Sequence, residues 1–412
     1  MGKGNTLTGK NDAGERQNRS LFLKMKYEVC ILGVLLAQLA VMPLDFSRDP
    51  YASLLALDYG LGFAPRLLPG WVLSLFTRFR GRREVNVFTG ALLAVTLLSA
   101  VYLAGRLIRA ARGEDRRAML FLIALFLAGP CTNAIFFPTP LFTPDRIMAM
   151  FAMLSYAVVR GRARWLAPVF LLAALASHHA FAFEYLPGVG VLLLYELFES
   201  GNKPRAAAFT AVTFAAAGAA AVWFYLFQGF EGVSLQELAG YARQRTDIPL
   251  RMDFFEGYFI VKPGRLLEGM LNTGNNYNRL LIEARVTVLM LPLIALFLYI
   301  WGSALKNSAA RGHKAVFALC LALPLARLPL LVFVTELYRS RVPVFVTWFF
   351  LLFWFLRYEN PAVAAAVRKL WGFFEANIFL AYAAVAYFAV LFASFELNET
   401  VGGLFRGMVW PR

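Results

Sequence analysis

Charge is scarce in this chain. Only 16% of its 412 residues are Asp, Glu, Lys or Arg, against 59% hydrophobic ones, a balance that excludes an ordinary soluble domain and a disordered one. Cysteine is scarcer still. Cys30, Cys131 and Cys320 share no CxxC spacing and each lies in or beside an apolar run, so neither a disulfide framework nor a thiolate metal site is indicated. Familiar catalytic signatures are missing as well: there is no Walker loop, no GxGxxG between strand and helix, no GxSxG elbow and no HExxH. ATP-driven transport, dinucleotide chemistry and the common protease mechanisms therefore lack their marks. Acids are outnumbered, 25 Asp and Glu against 41 Lys and Arg, for a net charge of +16. The bases collect between apolar segments, where positive charge sets topology and meets anionic headgroups, so membrane lipids and not nucleic acid are the implied partner.

What the chain has in abundance is apolar runs long enough to approach the ~30 Å of a bilayer core. They fall near 28–44, 86–105, 119–137, 147–160, 165–178, 181–198, 206–228, 286–305, 315–335, 342–357 and 377–395. The expected fold is all-α: a polytopic membrane bundle of about 11 transmembrane helices forming one domain over 28–395. A basic tail, 1–27, precedes it and a short tail, 396–412, follows. Leu67 to Phe79 is too short to cross and reads as a re-entrant or interfacial helix. The segment 229–285 mixes acids and bases and reads as a long loop on the outer face, a place where function often resides.

Basic loops resist translocation. Placing the N-terminus in the cytoplasm keeps "RLIRAARGEDRR", "RGRAR", "GNKPR" and "KNSAARGHK" inside and sends "FFPTPLFTPDR", "SHH", "TELYRSR" and the C-terminus to the periplasmic or extracellular side. One loop objects. "FTRFRGRRE", residues 76–84, carries four arginines and falls outside.

On this topology the unusual polar residues gather at one face: Asp45, Asp49, Asp58, Arg66, Asp145, Arg146, His178, His179, Glu184, Glu336, Arg339 and Arg341. Ionisable groups at membrane depth cost about 2.5–3.5 kcal/mol on insertion scales unless paired or wetted, so such a gathering favours a polar cavity or a bound polar ligand. In "LDYGLGFAPRLLPG", Gly60 and Gly62 permit close backbone approach, and Pro65 restricts the chain before Arg66. That guanidinium either binds a phosphate through paired hydrogen bonds or pairs with Asp58 as structural glue. In "TPDRI", Asp145 suits the first turn of a helix, and Arg146 is either a second anion contact or part of that start. In "SHHAFAFEYLP", His178 and His179 offer imidazole near Glu184; a proton-transfer role competes with an interfacial histidine bound to a backbone carbonyl. Arg327 lies inside an apolar run and needs a partner or water, while Glu336, Arg339 and Arg341 are either an anion site or a membrane-edge anchor.

"DYGLGFAPRLLPG", "TPDRI", "SHHAFAFEYLP" and "ELYRSRV", in this order between spans, resemble the bacterial O-antigen and exopolysaccharide polymerases and, more distantly, the GT-C glycosyltransferases. The resemblance implies an enzyme of the bacterial inner membrane that transfers a glycan from a polyprenyl diphosphate carrier at the outer face, working beside other surface-polysaccharide assembly proteins. It implies that Arg66, Arg339 and Arg146 hold the diphosphate. It makes Asp58, His178 or His179 the activating group, with Asp145, Glu184, Glu336 and Arg341 among the substrate contacts. No cofactor is implied; Asp45 and Asp49 leave room for a divalent cation. The alternative is a transporter or flippase for a lipid-linked or anionic solute, although no internal repeat of the kind common in transporters is visible. The topology is directly checkable: a reporter fused after Arg83 reads as external, and a cytoplasmic reading overturns the one-face arrangement.

Overall fold

The computed structural model describes residues 25–40, 46–48, 50–129, 144–227, 229–230, 232–260, 284, 287–333 and 342–396, and every regular element among them is helical. Helix α1, Lys26–Ala40, leads through 3-10 turns at Phe46–Arg48, Pro50–Ala56 and Tyr59–Leu61 into the short α2, Leu68–Ser74. Then come α3 (Arg82–Ala110), α4 (Gly113–Ala128), α5 (Pro144–Val158), α6 (Leu166–Ser177), the single turn α7 (Phe181–Glu184), α8 (Leu186–Glu199) and α9 (Lys203–Leu226). Helices α10 (Leu235–Arg243) and α11 (Met252–Phe255) follow, the latter running into a π-helical turn, Glu256–Ile260. The C-terminal third holds α12 (Leu291–Asn307) and α13 (Arg311–Ala322), which continues through a 3-10 turn, Leu323–Arg327, into α14 (Leu328–Phe333). It ends with α15 (Val342–Arg357), α16 (Pro361–Ala376) and α17 (Ile378–Glu396).

Each apolar run of the sequence carries helix, yet length divides them. Arg82–Ala110, Lys203–Leu226 and the run Arg311–Leu330 are long and apolar enough to cross a membrane, and α15 with α16 makes a fourth only if that bent pair counts as one span. Leu166–Ser177, Leu291–Asn307 and Ile378–Val390 are apolar but shorter, so the described helices do not reach the expected count of about 11. The long helices are apolar on every side: Val87, Val95 and Leu98 on α3 and Val212, Val222 and Leu226 on α9 are exposed. A helix of a soluble protein turns such residues inward, whereas one in contact with lipid has no reason to.

Ion pairs fix which loops share an end. Glu28, buried on α1, pairs with Arg109 near the end of α3. Gly105 makes room for it, because a Cβ there would collide with the Glu28 side chain. At the same end Arg117 pairs with Glu375, Arg368 with Asp115, Arg160 with Glu196 and His313 with Glu199. The loops that the charge pattern grouped together are thus joined through their own side chains. Because Arg160 precedes α6 and Glu196 closes α8, these helices form an antiparallel hairpin whose turn, Ser177 to Tyr185, lies at the opposite end.

That opposite end carries a cap with its own apolar core. Leu55, Leu57, Leu67 and Leu73 from the segment before α3 pack against Phe230, Leu238, Ile248 and Phe255. Residues 229–260, expected as loop, are therefore folded onto the 50–80 segment. Ser234 and Glu237 form a capping box that starts α10, each satisfying the other's backbone amide. Within α2, Gly70 is obligatory, since a Cβ would strike the carbonyl oxygen of Leu57.

At the far end α15 and α16 meet at 109°. Glu359 adopts a left-handed backbone, φ 53°, and Asn360 caps α16 by accepting from the amides of Ala362 and Val363, both at 3.1 Å. Its amide nitrogen also donates to the Tyr195 hydroxyl on α8 at 2.9 Å. One residue thereby starts a helix and anchors it to the bundle. Asn360→Ala is expected to lower stability by about 1–2 kcal/mol, the range for a lost N-cap, measured as the shift in thermal unfolding of the purified protein in detergent.

Candidate functional site at the capped end

Asp58 pairs with Arg80 and not with Arg66. Its second oxygen accepts from the Tyr241 hydroxyl and, at 2.9 Å, from the amide of Gly60. Gly60 is a close approach of the same kind as Gly70: a Cβ would meet the Tyr241 hydroxyl. Arg80 is 2% exposed. Besides Asp58 it donates to the carbonyls of Leu55 at 3.1 Å and Ala56 at 2.8 Å, and its own backbone accepts from Thr246 Oγ1 at 2.7 Å and donates to the carbonyl of Arg245 at 2.6 Å. Arg245 in turn lies over the Tyr241 ring, 3.4 Å from its centroid. Burial works to raise the Asp58 pKa, but the bonds from Tyr241, Arg80 and Gly60 together with the Arg80 charge outweigh it and leave the carboxyl below its usual value. Burial and the bond to Asp58 push Tyr241 up to about 12. The two groups form a carboxylate held by a phenol and a guanidinium, and both carboxylate oxygens are committed.

Arg66 belongs to a different constellation. It is buried and has a left-handed backbone, φ 71°, a region that costs a non-glycine residue on the order of 1–3 kcal/mol and persists only where surrounding structure holds it. Here the hold is a hydrogen bond from its amide to the carbonyl of Ala176, 2.9 Å, in the last turn of α6. Two residues further on are His178 and His179, their rings stacked 5.1 Å apart at 14°. The structure thus joins "FAPR" and "SHH", segments more than a hundred positions apart in the chain.

The histidines differ. His178 Nδ1 accepts from the amide of Ala180 at 3.1 Å, which fixes the neutral ring as the tautomer with its proton on Nε2. His179 is packed round by protein, and this burial, followed by the nearby Arg66 charge, lowers its pKa to about 3, so the ring stays neutral. Its Nδ1 is buried without a hydrogen-bond partner among the described residues. Glu184 closes α7, and its carbonyl accepts from Thr347 Oγ1 of α15 at 3.2 Å. Asp145 sits in the first turn of α5, and Arg146 beside it is 3% exposed. Ile147 packs in the same apolar core as Ala64 and Leu67, which flank Arg66. Arg327, also buried, ends the 3-10 turn that packs against α7.

Arg66, Arg146 and Arg327 are therefore three buried cations at one end of the bundle, around a hairpin turn that carries two imidazoles. Glu336, Arg339 and Arg341, like Asp45 and Asp49, lie outside the described residues. Among the described residues no three His, Cys, Asp or Glu side chains converge as a metal-holding group. Arg80 and Tyr241 are not among the site residues expected from the sequence. One signal pointed to the first, because an arginine in a loop that breaks the charge rule is a candidate for burial; Tyr241 carried none. No protein-family model, characterised protein or solved structure matches the chain.

Removing one partner of a buried ion pair leaves an uncompensated charge, which costs about 3–5 kcal/mol. Asp58→Asn is expected to destabilise the cap by that order, and Tyr241→Phe by about 1.5–3 kcal/mol, the worth of one hydrogen bond to a charged group. Limited proteolysis of the 50–80 and 229–260 segments reads both effects locally.

Proposed function

We propose that the chain is a membrane glycosyltransferase or polysaccharide polymerase acting on a polyprenyl-diphosphate-linked glycan, with its site at the capped end and that end at the outer face of a bacterial inner membrane. About eleven crossings, the shorter helices included, and a cytoplasmic N-terminus complete this reading. The observation that carries it is the strained backbone of Arg66, pinned to the last turn of α6 beside His178 and His179. Strain of this kind concentrates at sites where a side chain must be held in one place. A guanidinium so fixed suits a diphosphate, which it meets with two parallel hydrogen bonds.

In the proposed transfer the bond from the sugar's anomeric carbon to the diphosphate oxygen breaks, an acceptor hydroxyl bonds to that carbon, and the hydroxyl proton passes to a base. Arg66, with Arg146 from α5, stabilises the negative charge left on the diphosphate, where preorganised donors contribute most. His178, with Nε2 carrying the proton, donates to the same anion or to the sugar. His179 takes the base role. Its affinity for a proton is held down by burial and by Arg66, and an anion seated on Arg66 offsets the second of these. Asp58 has a structural part, holding the cap that covers the turn.

The test uses a strain lacking the chromosomal copy. Arg66→Gly is the sharper variant, since glycine accepts the left-handed backbone while removing the side chain; it and His178→Ala are expected to abolish long surface-glycan chains at normal membrane levels. A normal chain-length ladder from both variants would overturn the reading.

A further inference from the structure

A cavity of about 360 Å³ opens at the far end of the bundle, between α3, α4, α5 and α15. Its wall is hydrocarbon: Leu103, Leu107, Ile123, Phe126, Phe350 and Phe353. Ala100, Ala104 and Ala157 stand where larger side chains would fill it. Two cations complete the lining, Arg106 of α3 and Arg357 of α15.

The charge pattern around them is unequal. Arg109, Arg117, Arg160 and Arg368 at this end each pair with a carboxylate. Arg106 and Arg357 form no ion pair among the described residues; Arg357 lies over the Tyr358 ring, 5.4 Å from its centroid. An indole is also in the wall, besides the phenols of Tyr156 and Tyr358. Trp354 is 4% exposed and its indole Nε1 is buried without a hydrogen-bond partner among the described residues. An apolar chamber of this size falls within the range of small-molecule sites, and it rejects a polar solute, whose desolvation its walls do not compensate. Arginines beside it select an anionic head. Basic pockets between membrane helices take lipid phosphates on this principle.

We infer that this cavity is a binding site for an anionic bilayer phospholipid, one acyl chain between α3 and α15 and the phosphate on Arg106 and Arg357. The occupant is not the diphosphate carrier of the proposed reaction. Arg66 is at the other end of the bundle, and α3 alone, 29 residues long, extends about 40 Å at 1.5 Å per residue. The lipid at Arg106 is a resident of the opposite leaflet, and the site stands whether or not the chain is a transferase.

The experiment titrates the purified full-length protein in mild detergent with phosphatidylglycerol bearing a brominated acyl chain, reading tryptophan fluorescence, with the matching phosphatidylcholine as comparison. Phosphatidylglycerol is expected to quench saturably, and Trp354→Phe to remove most of the quenched signal. The double variant Arg106→Gln, Arg357→Gln is expected to weaken phosphatidylglycerol binding about tenfold or more, two lipid-facing charges being lost, with no change toward phosphatidylcholine. Ala104→Phe, which fills the chamber without touching either charge, is expected to abolish saturable quenching. Equal quenching by both lipids, an unaltered double variant, or full quenching in Ala104→Phe would each overturn the proposal. So would displacement of phosphatidylglycerol by an equimolar polyprenyl phosphate.

Discussion

The Arg80 guanidinium is the constraint on which the capped end depends. It is buried, and it ties together two other pieces of chain: the stretch that supplies the carbonyls of Leu55 and Ala56 and the Asp58 carboxylate, and, through its own backbone, the turn at Arg245 and Thr246. A cation in such surroundings is tolerable only when its hydrogen-bonding capacity is answered by carbonyls and a carboxylate in good geometry. The segment before α3 contains little regular structure of its own, and short 3-10 turns are poor at satisfying their own backbone. Arg80 supplies the donors those carbonyls need, so the charge and the irregular backbone stabilise each other.

From that anchor the candidate site follows by short steps. Asp58 fixes the turn Tyr59–Leu61 through the Gly60 amide, and the chain then runs past Pro65 to Arg66, whose amide reaches α6. The cap therefore touches the bundle at the place where the hairpin turns and the imidazoles lie. A rigid cap on one side and a helix end on the other over-determine a backbone conformation that arginine would not adopt unaided. The same end gathers Arg146 and Arg327.

Much of the helical frame was legible in the sequence because apolar length is a local property. Residues 342–357 read as one apolar run and form one helix with those bounds, and the break at His178 showed as a polar interruption between two runs. The grouping of basic loops at one end was legible for the same reason, charge being visible without knowledge of contacts. The pairing of Asp58 was not. Its two partners lie 22 and 183 positions away, and an acid eight residues from Arg66 offered a nearer but wrong partner. The fold of residues 229–260 was missed because its apolar positions, though frequent, are broken by charged residues into short groups with no long run, although "SLQE" spelled a capping box. The number of crossings is less legible: among the described residues three helices, or four with the bent pair, are long and apolar enough to cross, and a run of apolar residues does not say where along it a helix bends.

The buried carboxylate of Glu28 bears on how the protein is made. Glu28 lies near the start of α1, whereas Arg109 is delivered only when α3 is nearly complete. An acid on a helix entering lipid alone is costly and stays near the headgroups. Only when the closing turn of α3 brings its guanidinium alongside, in the groove that Gly105 leaves open, does the acid have a reason to sink. The acid on α1 is therefore matched only by the last turn of a helix that ends some eighty residues later, so the place of the first helix depends on the completion of α3.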